Sequence, residues 1–219
     1  VSIVKDGYIG KLMEFDPQLK AESSLKVEVH PVYRKKLVVE KKNMVKTPQG
    51  WQFDDVPIAL SDKESATVTL TRANGEGELD FSSVAIYEGS QKEAEIEIAP
   101  GDYAADISLI LDERIIIPEK QKCFKKGIFG EKECFTIPKI DFGEKSAPGQ
   151  EKFPEGGLKM NFTISANDQE KYATIVLYAV SLDIANVPEQ DRVLEDIEQI
   201  SKVEENSNTY QLALQPAFK

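Results

Sequence analysis

Apolar and polar side chains alternate with a period of two along most of this 219-residue chain, a pattern that suits strands with one buried and one wet face and little else. Leu25, Val27 and Val29 interleave with Lys26 and Glu28, and Ala94, Ile96 and Ile98 with Glu93, Glu95 and Glu97. The same rhythm runs through Val68 and Leu70, through Leu158, Met160, Phe162 and Ile164, and through Tyr210, Leu212 and Leu214. Residues 172–182 and 107–111 are apolar at both parities, so central strands covered on both faces are expected there. Turn-forming residues punctuate the runs at Thr47 to Gly50, Ala73 to Gly77, Ala99 to Asp102 and Ser165 to Asp168. The first and last of these predict hairpins, with the strand after Asp168 returning along the one before Ser165.

One stretch has the helical period instead. Val193, Ile197, Ile200 and Val203 fall on one face, behind Asn186 as cap and Pro188 in the first turn, with Glu189, Asp191, Glu195, Asp196 and Glu198 opposite. This predicts a single long helix over residues 188–204, with Val193, Ile197 and Ile200 buried on the sheet. The fold class read from the whole pattern is a mainly antiparallel β-sandwich with one α-helix in the C-terminal region. Residues 143–157, rich in Pro and Gly, read as a long loop. As a boundary they would leave too few strands behind them, so one domain over residues 1–219 is expected.

With 41% hydrophobic residues the chain does not read as disordered. Its net charge of −11 opposes sequence-general nucleic-acid binding. No apolar run approaches the roughly 20 residues of a membrane-spanning helix. The chain opens at Val1 without an initiator Met or a basic-then-apolar leader. That reads as a processed or trimmed form, with any export signal or lipid anchor expected upstream of Val1. Basic residues cluster twice, at Arg34, Lys35, Lys36, Lys41, Lys42 and Lys46 and again at Lys120, Lys122, Lys125 and Lys126. Brought to one end, they would make a cationic rim for anionic lipid, a polyanionic wall polymer or an acidic protein; apart, they would solubilise strand edges.

The string Ile96-Glu-Ile-Ala-Pro-Gly-Asp-Tyr-Ala-Ala-Asp-Ile107 resembles the strand, Pro-Gly turn, Tyr, strand element of prealbumin-like and immunoglobulin-like sandwiches in secreted and surface proteins. The resemblance covers a dozen residues and implies a fold class and a compartment, with no functional residues to transfer. Independently, Cys123 and Cys134 stand eleven apart with Gly127 and Gly130 between them, so arms folding back at the glycines would bring the sulfurs together. A disulfide there would contribute about 3 kcal/mol of loop-closure entropy. It would place the protein in an oxidising compartment, either the periplasm or the cell surface.

Residue supply narrows the chemistry. Two Cys and the single His30 cannot fill a structural zinc site, so no metal is expected. No nucleophile elbow accompanies His30 and no Gly-rich phosphate cradle occurs, so neither a Ser-His mechanism nor a cofactor is expected. Trp51 and Phe53, at i and i+2 of a strand pattern, would share one face and either stack on a ligand or pack in the core. Asp54 and Asp55 follow them as the one acid cluster beside such aromatics. These four are the candidate ligand-binding residues. The expectation is an exported, non-catalytic binding or assembly module with a protein, lipid or polysaccharide partner. The alternatives are a carboxylate-dependent hydrolase and a structural spacer of a surface assembly.

Overall fold

The computed structural model describes residues 2–14, 27–92, 94–126, 131–142 and 152–219. The chain is mainly β. Near its start, β1 (Ser2–Ile3) pairs with β2 (Lys11–Leu12). β3 (Tyr33–Thr47) is 15 residues long and turns through Pro48 and Gln49 into β4 (Gly50–Phe53). The Thr47 hydroxyl donates to Gly50 O at 2.7 Å, closing that expected hairpin. There follow β5 (Ile58–Ala59), β6 (Glu64–Arg72), β7 (Ser82–Glu88), β8 (Ala94–Ile98) and β9 (Gly101–Leu111). Next come β10 (Ile115–Ile117), β11 (Lys120–Lys126), β12 (Glu131–Ile137) and β13 (Ile140–Phe142). The chain ends with β14 (Phe153–Ile164), α1 (Ala166–Lys171), β15 (Thr174–Leu182), α2 (Glu195–Ser201), α3 (Val203–Thr209) and β16 (Ala217–Phe218).

Ten of these strands form one hydrogen-bonded sheet in the order β4-β3-β15-β14-β9-β6-β7, with β5 and β8 also on β3 and β16 on β15. β3 organises one half. Along one edge it takes β8 at Tyr33 to Leu37, β5 at Glu40 and Lys41, and β4 from Met44 onward. Along the other edge it takes β15, in parallel, from Lys36 to Met44. That parallel pair departs from the all-antiparallel expectation. It arises because most of the chain crosses over between the two strands, and β15 is buried on both faces, as parallel strands usually are. In the other half, β14, β9, β6 and β7 are antiparallel neighbours. Residues 107–111 are central there but wet on one face, since Ser108 is exposed.

The helical expectation needs correction. Residues 188–204 are not one helix: a 3-10 turn at Glu189–Asp191 precedes α2, and α3 starts anew after Lys202. Arg192 is the physical reason at the start, because its guanidinium bonds the carbonyls of Val187 at 2.9 Å and Ala185 at 3.2 Å and holds that chain out of helical form. Val193, Ile197 and Ile200 are half-buried, whereas Asp196, placed by the sequence on the solvent face, is 2% exposed. Tyr210 to Leu214 is a turn rather than a strand; Leu214 is buried and Leu212 exposed. Ser165 caps α1 through the Asp168 N–H at 3.1 Å, so β14 meets β15 only at Gly156 and Gly157. Of the expected first strand, Leu25 lies outside the described residues, and Val27 to His30 form no strand.

Gly156 and Gly157 sit where β14 pairs with β15 on one side and β9 on the other. A Cβ on Gly156 would lie 2.1 Å from Val180 O, and one on Gly157 2.0 Å from Ile107 O. Backbones this close exclude any side chain. We predict that Gly157→Ala costs about 3 kcal/mol in urea denaturation, by overpacking the junction; an unchanged midpoint would show that the junction has slack.

Candidate functional site

Charge enters the interior at the strand ends. The inward row of β6 reads Glu64, Ala66, Val68, Leu70, Arg72, and that of β3 reads Lys35, Leu37, Val39, Lys41, Asn43; all ten are buried. Each row is apolar in its middle and polar at its ends, so ion pairs close the apolar cluster at both ends. At one end Arg72 Nη1 donates to Glu78 Oε2 at 2.5 Å and Arg72 Nε to Pro100 O at 2.7 Å. His30 Nε2 lies 3.3 Å from the other Glu78 oxygen. Burial opposes ionisation of Glu78, but the Arg72 bond, the Gly75 N–H and the Arg72 charge together hold its carboxyl below the usual range. Lys35 closes the same end by donating to the carbonyls of Gln169 and Tyr172.

At the opposite end the Lys41 ammonium donates to both Glu64 and Glu155, the second at 2.7 Å. Ser181 Oγ donates to the same Glu155 oxygen at 2.5 Å, and Ser61 N–H to Glu64 at 2.6 Å. Burial pushes the Glu155 carboxyl up; the Lys41 charge pulls against it, the Glu64 charge adds to the rise, and the net direction is upward. Glu64 is also raised by burial, but the bonds from Lys41 and Ser61 carry it below its ordinary value. Glu155 Oε2 is buried without a hydrogen-bond partner. This is an acid pair assembled through space. Both acids are buried and share one lysine, an arrangement that closes the core at this end.

The aromatic and acidic candidates are brought together on the other face of the β3–β4 hairpin, where the C-terminal helical segment lies. Trp51 is half-buried and donates from Nε1 to Asp196 Oδ1 at 3.2 Å. Asp196 also accepts from Lys46 Nζ and from the Val193 N–H, both at 2.9 Å. Phe53 stacks on Tyr210, with centroids 3.9 Å apart and planes 8° from parallel. Asp55 accepts from the buried Lys42 ammonium at 2.6 Å, and Asp54 accepts from the Val56 N–H at 3.2 Å. All four side chains thus have partners within the chain. The first basic cluster is absorbed similarly, since Lys35, Lys41 and Lys42 are buried and Arg34 lies beside Glu95 and Glu97.

The second basic cluster stands apart. β10 and β13 pair at the body: Ile115 and Ile117 are buried, Phe142 meets Phe153 edge-on at 5.1 Å, and Arg114 grips Asp141 through two bonds of 2.8 and 2.6 Å. With Lys139 also 2.7 Å away, these bonds hold the Asp141 carboxyl well below the carboxylate range. The ladder then stops on both strands at once, at Pro118-Glu119 and Pro138-Lys139, because proline lacks the N–H that a ladder needs. Beyond the break β11 and β12 form a separate two-stranded arm, with Cys123 directly opposite Cys134 and bonded to it. Residues 121–125 and 132–136 are all exposed. The expected bend, between Lys126 and Glu131, falls on residues 127–130, outside the described residues.

The arm carries residues that sequence reading did not single out. Phe124 and Phe135 are 48% and 50% exposed, share the face opposite the disulfide, and lie 6.2 Å apart. Lys125 and Lys132 face each other across the two strands. The signal was present as Cys-Phe steps at 123–124 and 134–135, framed by Ile-Pro steps at 117–118 and 137–138. Among the described residues no cluster of three metal-ligating side chains occurs, and no helix is long and apolar enough to cross a membrane. Comparison with family models, curated proteins and solved structures finds no match to this chain.

The two acids on Lys41 give opposite pH signatures. Glu155, raised above its ordinary 4.5, contributes stability that is present below that value and lost as pH rises through the folded one. Glu64, lowered, contributes stability present above 4.5 and lost as pH falls through its folded value. We predict that Glu155→Gln gains on the wild type in urea midpoint as pH rises from 4.5 to 8. Glu64→Gln should be weaker than wild type at pH 7, by a gap that narrows in acid. Gaps that stay constant with pH would refute this assignment.

Proposed function

We propose that the chain is an exported, non-catalytic binding module of the periplasm or cell surface, a β-sandwich that engages its partner through the β11–β12 arm. The observation that carries this reading is the arm itself. An isolated two-stranded hairpin is marginal in water, and this one has no core beneath it. Its disulfide keeps it in shape, and a disulfide so exposed persists only where thiols are not held reduced. A spacer would present no exposed apolar patch, whereas Phe124 and Phe135 form one.

The sandwich reading has its own support. The layers would be β8, β3 and β15 on one side and β14, β9, β6 and β7 on the other, with the corner at Gly156 and Gly157. One apolar cluster draws on strands of both. The resemblance to prealbumin-like and immunoglobulin-like domains gains a local argument: Tyr103 OH accepts from Ala99 N–H at 2.8 Å and donates to Ala99 O at 2.9 Å, tying the Pro-Gly corner. The hydrolase alternative is disfavoured because the acid pair that shares Lys41, Glu64 with Glu155, is buried.

Protein recovered from its native compartment should take up no alkylating agent on its cysteines until reduced, and two equivalents afterwards, by intact mass. Two adducts without reduction would overturn the export reading.

A further inference from the structure

The arm is cationic on an acidic body. Residues 120–137 hold five lysines and two glutamates, a balance of +3 in a chain of net −11. The charges are distributed around the arm: Lys120, Lys122 and Glu133 share a face with Phe124 and Phe135, while Lys125 and Lys132 flank the disulfide on the other, which is the more cationic face. Directly opposed like charges destabilise a strand pair, so the Lys125–Lys132 couple works against the free arm. An anion placed between or around them would relieve that repulsion. The disulfide next to the couple keeps the two strands together in the meantime.

Resting on the reading of the arm as the binding surface, we propose that it docks on an anionic phospholipid surface, with Phe124 and Phe135 at the acyl boundary and the lysines among the headgroups. Half-exposed aromatic rings amid lysines suit this interface, where apolar burial and charge attraction add. Lysines on both faces suit it better than a protein contact, because a headgroup layer surrounds an inserted finger whereas a protein groove meets one side. A polyanionic glycan would satisfy the lysines but leave both rings in water. The attachment of the arm fits this use. It joins the body at the paired proline breaks, and Lys122 forms an exposed ion pair with Glu195 of α2, so the arm can bear on a surface without disturbing the core.

The test is co-sedimentation of the full chain with vesicles of phosphatidylcholine alone and with about 30% phosphatidylglycerol. The expected result is binding to the anionic vesicles only, weakened by salt. Lys125→Ala with Lys132→Ala should lower partition about thirtyfold, and Phe124→Ala with Phe135→Ala at least about tenfold. The substituted residues are exposed, and unchanged circular dichroism and urea midpoint verify the fold of each variant. Equal binding to both vesicle types, or none to either, overturns the lipid proposal. Capture of poly-glutamate without vesicle binding also overturns it, yet leaves the arm as the binding surface. Vesicle binding that survives both double substitutions overturns the arm reading as well.

Discussion

The ammonium of Lys41, shared by Glu64 and Glu155, is the constraint on which the two halves of the sheet depend. It joins the middle of β3 to the first residue of β6 and the start of β14. A buried pair of this kind is a weak source of net stability, since desolvation cancels most of the attraction. Its value lies in position. A slip of β3 by one residue that turned Lys41 out and Glu40 into its place would reverse every side chain on the strand. It would also leave two carboxylates buried without a cation, which costs about 3–5 kcal/mol when one partner of such a pair is lost. The partnerless Glu155 oxygen follows from placing two acids on one base, while burial first, and the Glu64 charge after it, push that carboxyl's pKa up against the pull of Lys41.

The same logic governs the other interior polar groups. Arg72 and Glu78 fix the opposite end of β6, and Asp196 fixes the helical segment over Trp51 and Lys46. Apolar packing between these pins is permissive, and the pins decide the register. This explains which features were legible in the sequence. Alternation in β6, β8 and β14 depends on neighbours one or two residues away, and the spacing of Cys123 and Cys134 is equally local. Long-range choices left no such trace: the parallel pairing of β15 with β3 and the inward turn of Asp196 toward Lys46 and Trp51 each depend on partners more than a hundred residues distant.

The basic clusters show the limit most plainly. Arg34 to Lys46 and Lys120 to Lys126 look alike as composition, yet the first is largely folded into the protein and the second lies outside it. What separates them is the inward parity of Lys35 and Lys41 on a long strand, against a segment cut off by Pro118 and Pro138. Trp51 and Phe53 share a face as their spacing implied, but against Asp196 and Tyr210 of the chain's own C-terminal segment, while Asp54 and Asp55 stay exposed. Residues 121–125 and 132–136 of the arm, in contrast, are exposed, on a ladder set off from the body at the two prolines.

On the proposed function, stability and recognition belong to different parts of the molecule, the pinned sheet and the stapled arm. Replacing residues 119–138 by a short Gly-Asn turn, while keeping β10 and β13, tests that division most directly. The account predicts a urea midpoint within experimental error of the intact chain, together with loss of all binding to anionic vesicles. A clearly lowered midpoint, or binding that remains, would contradict it.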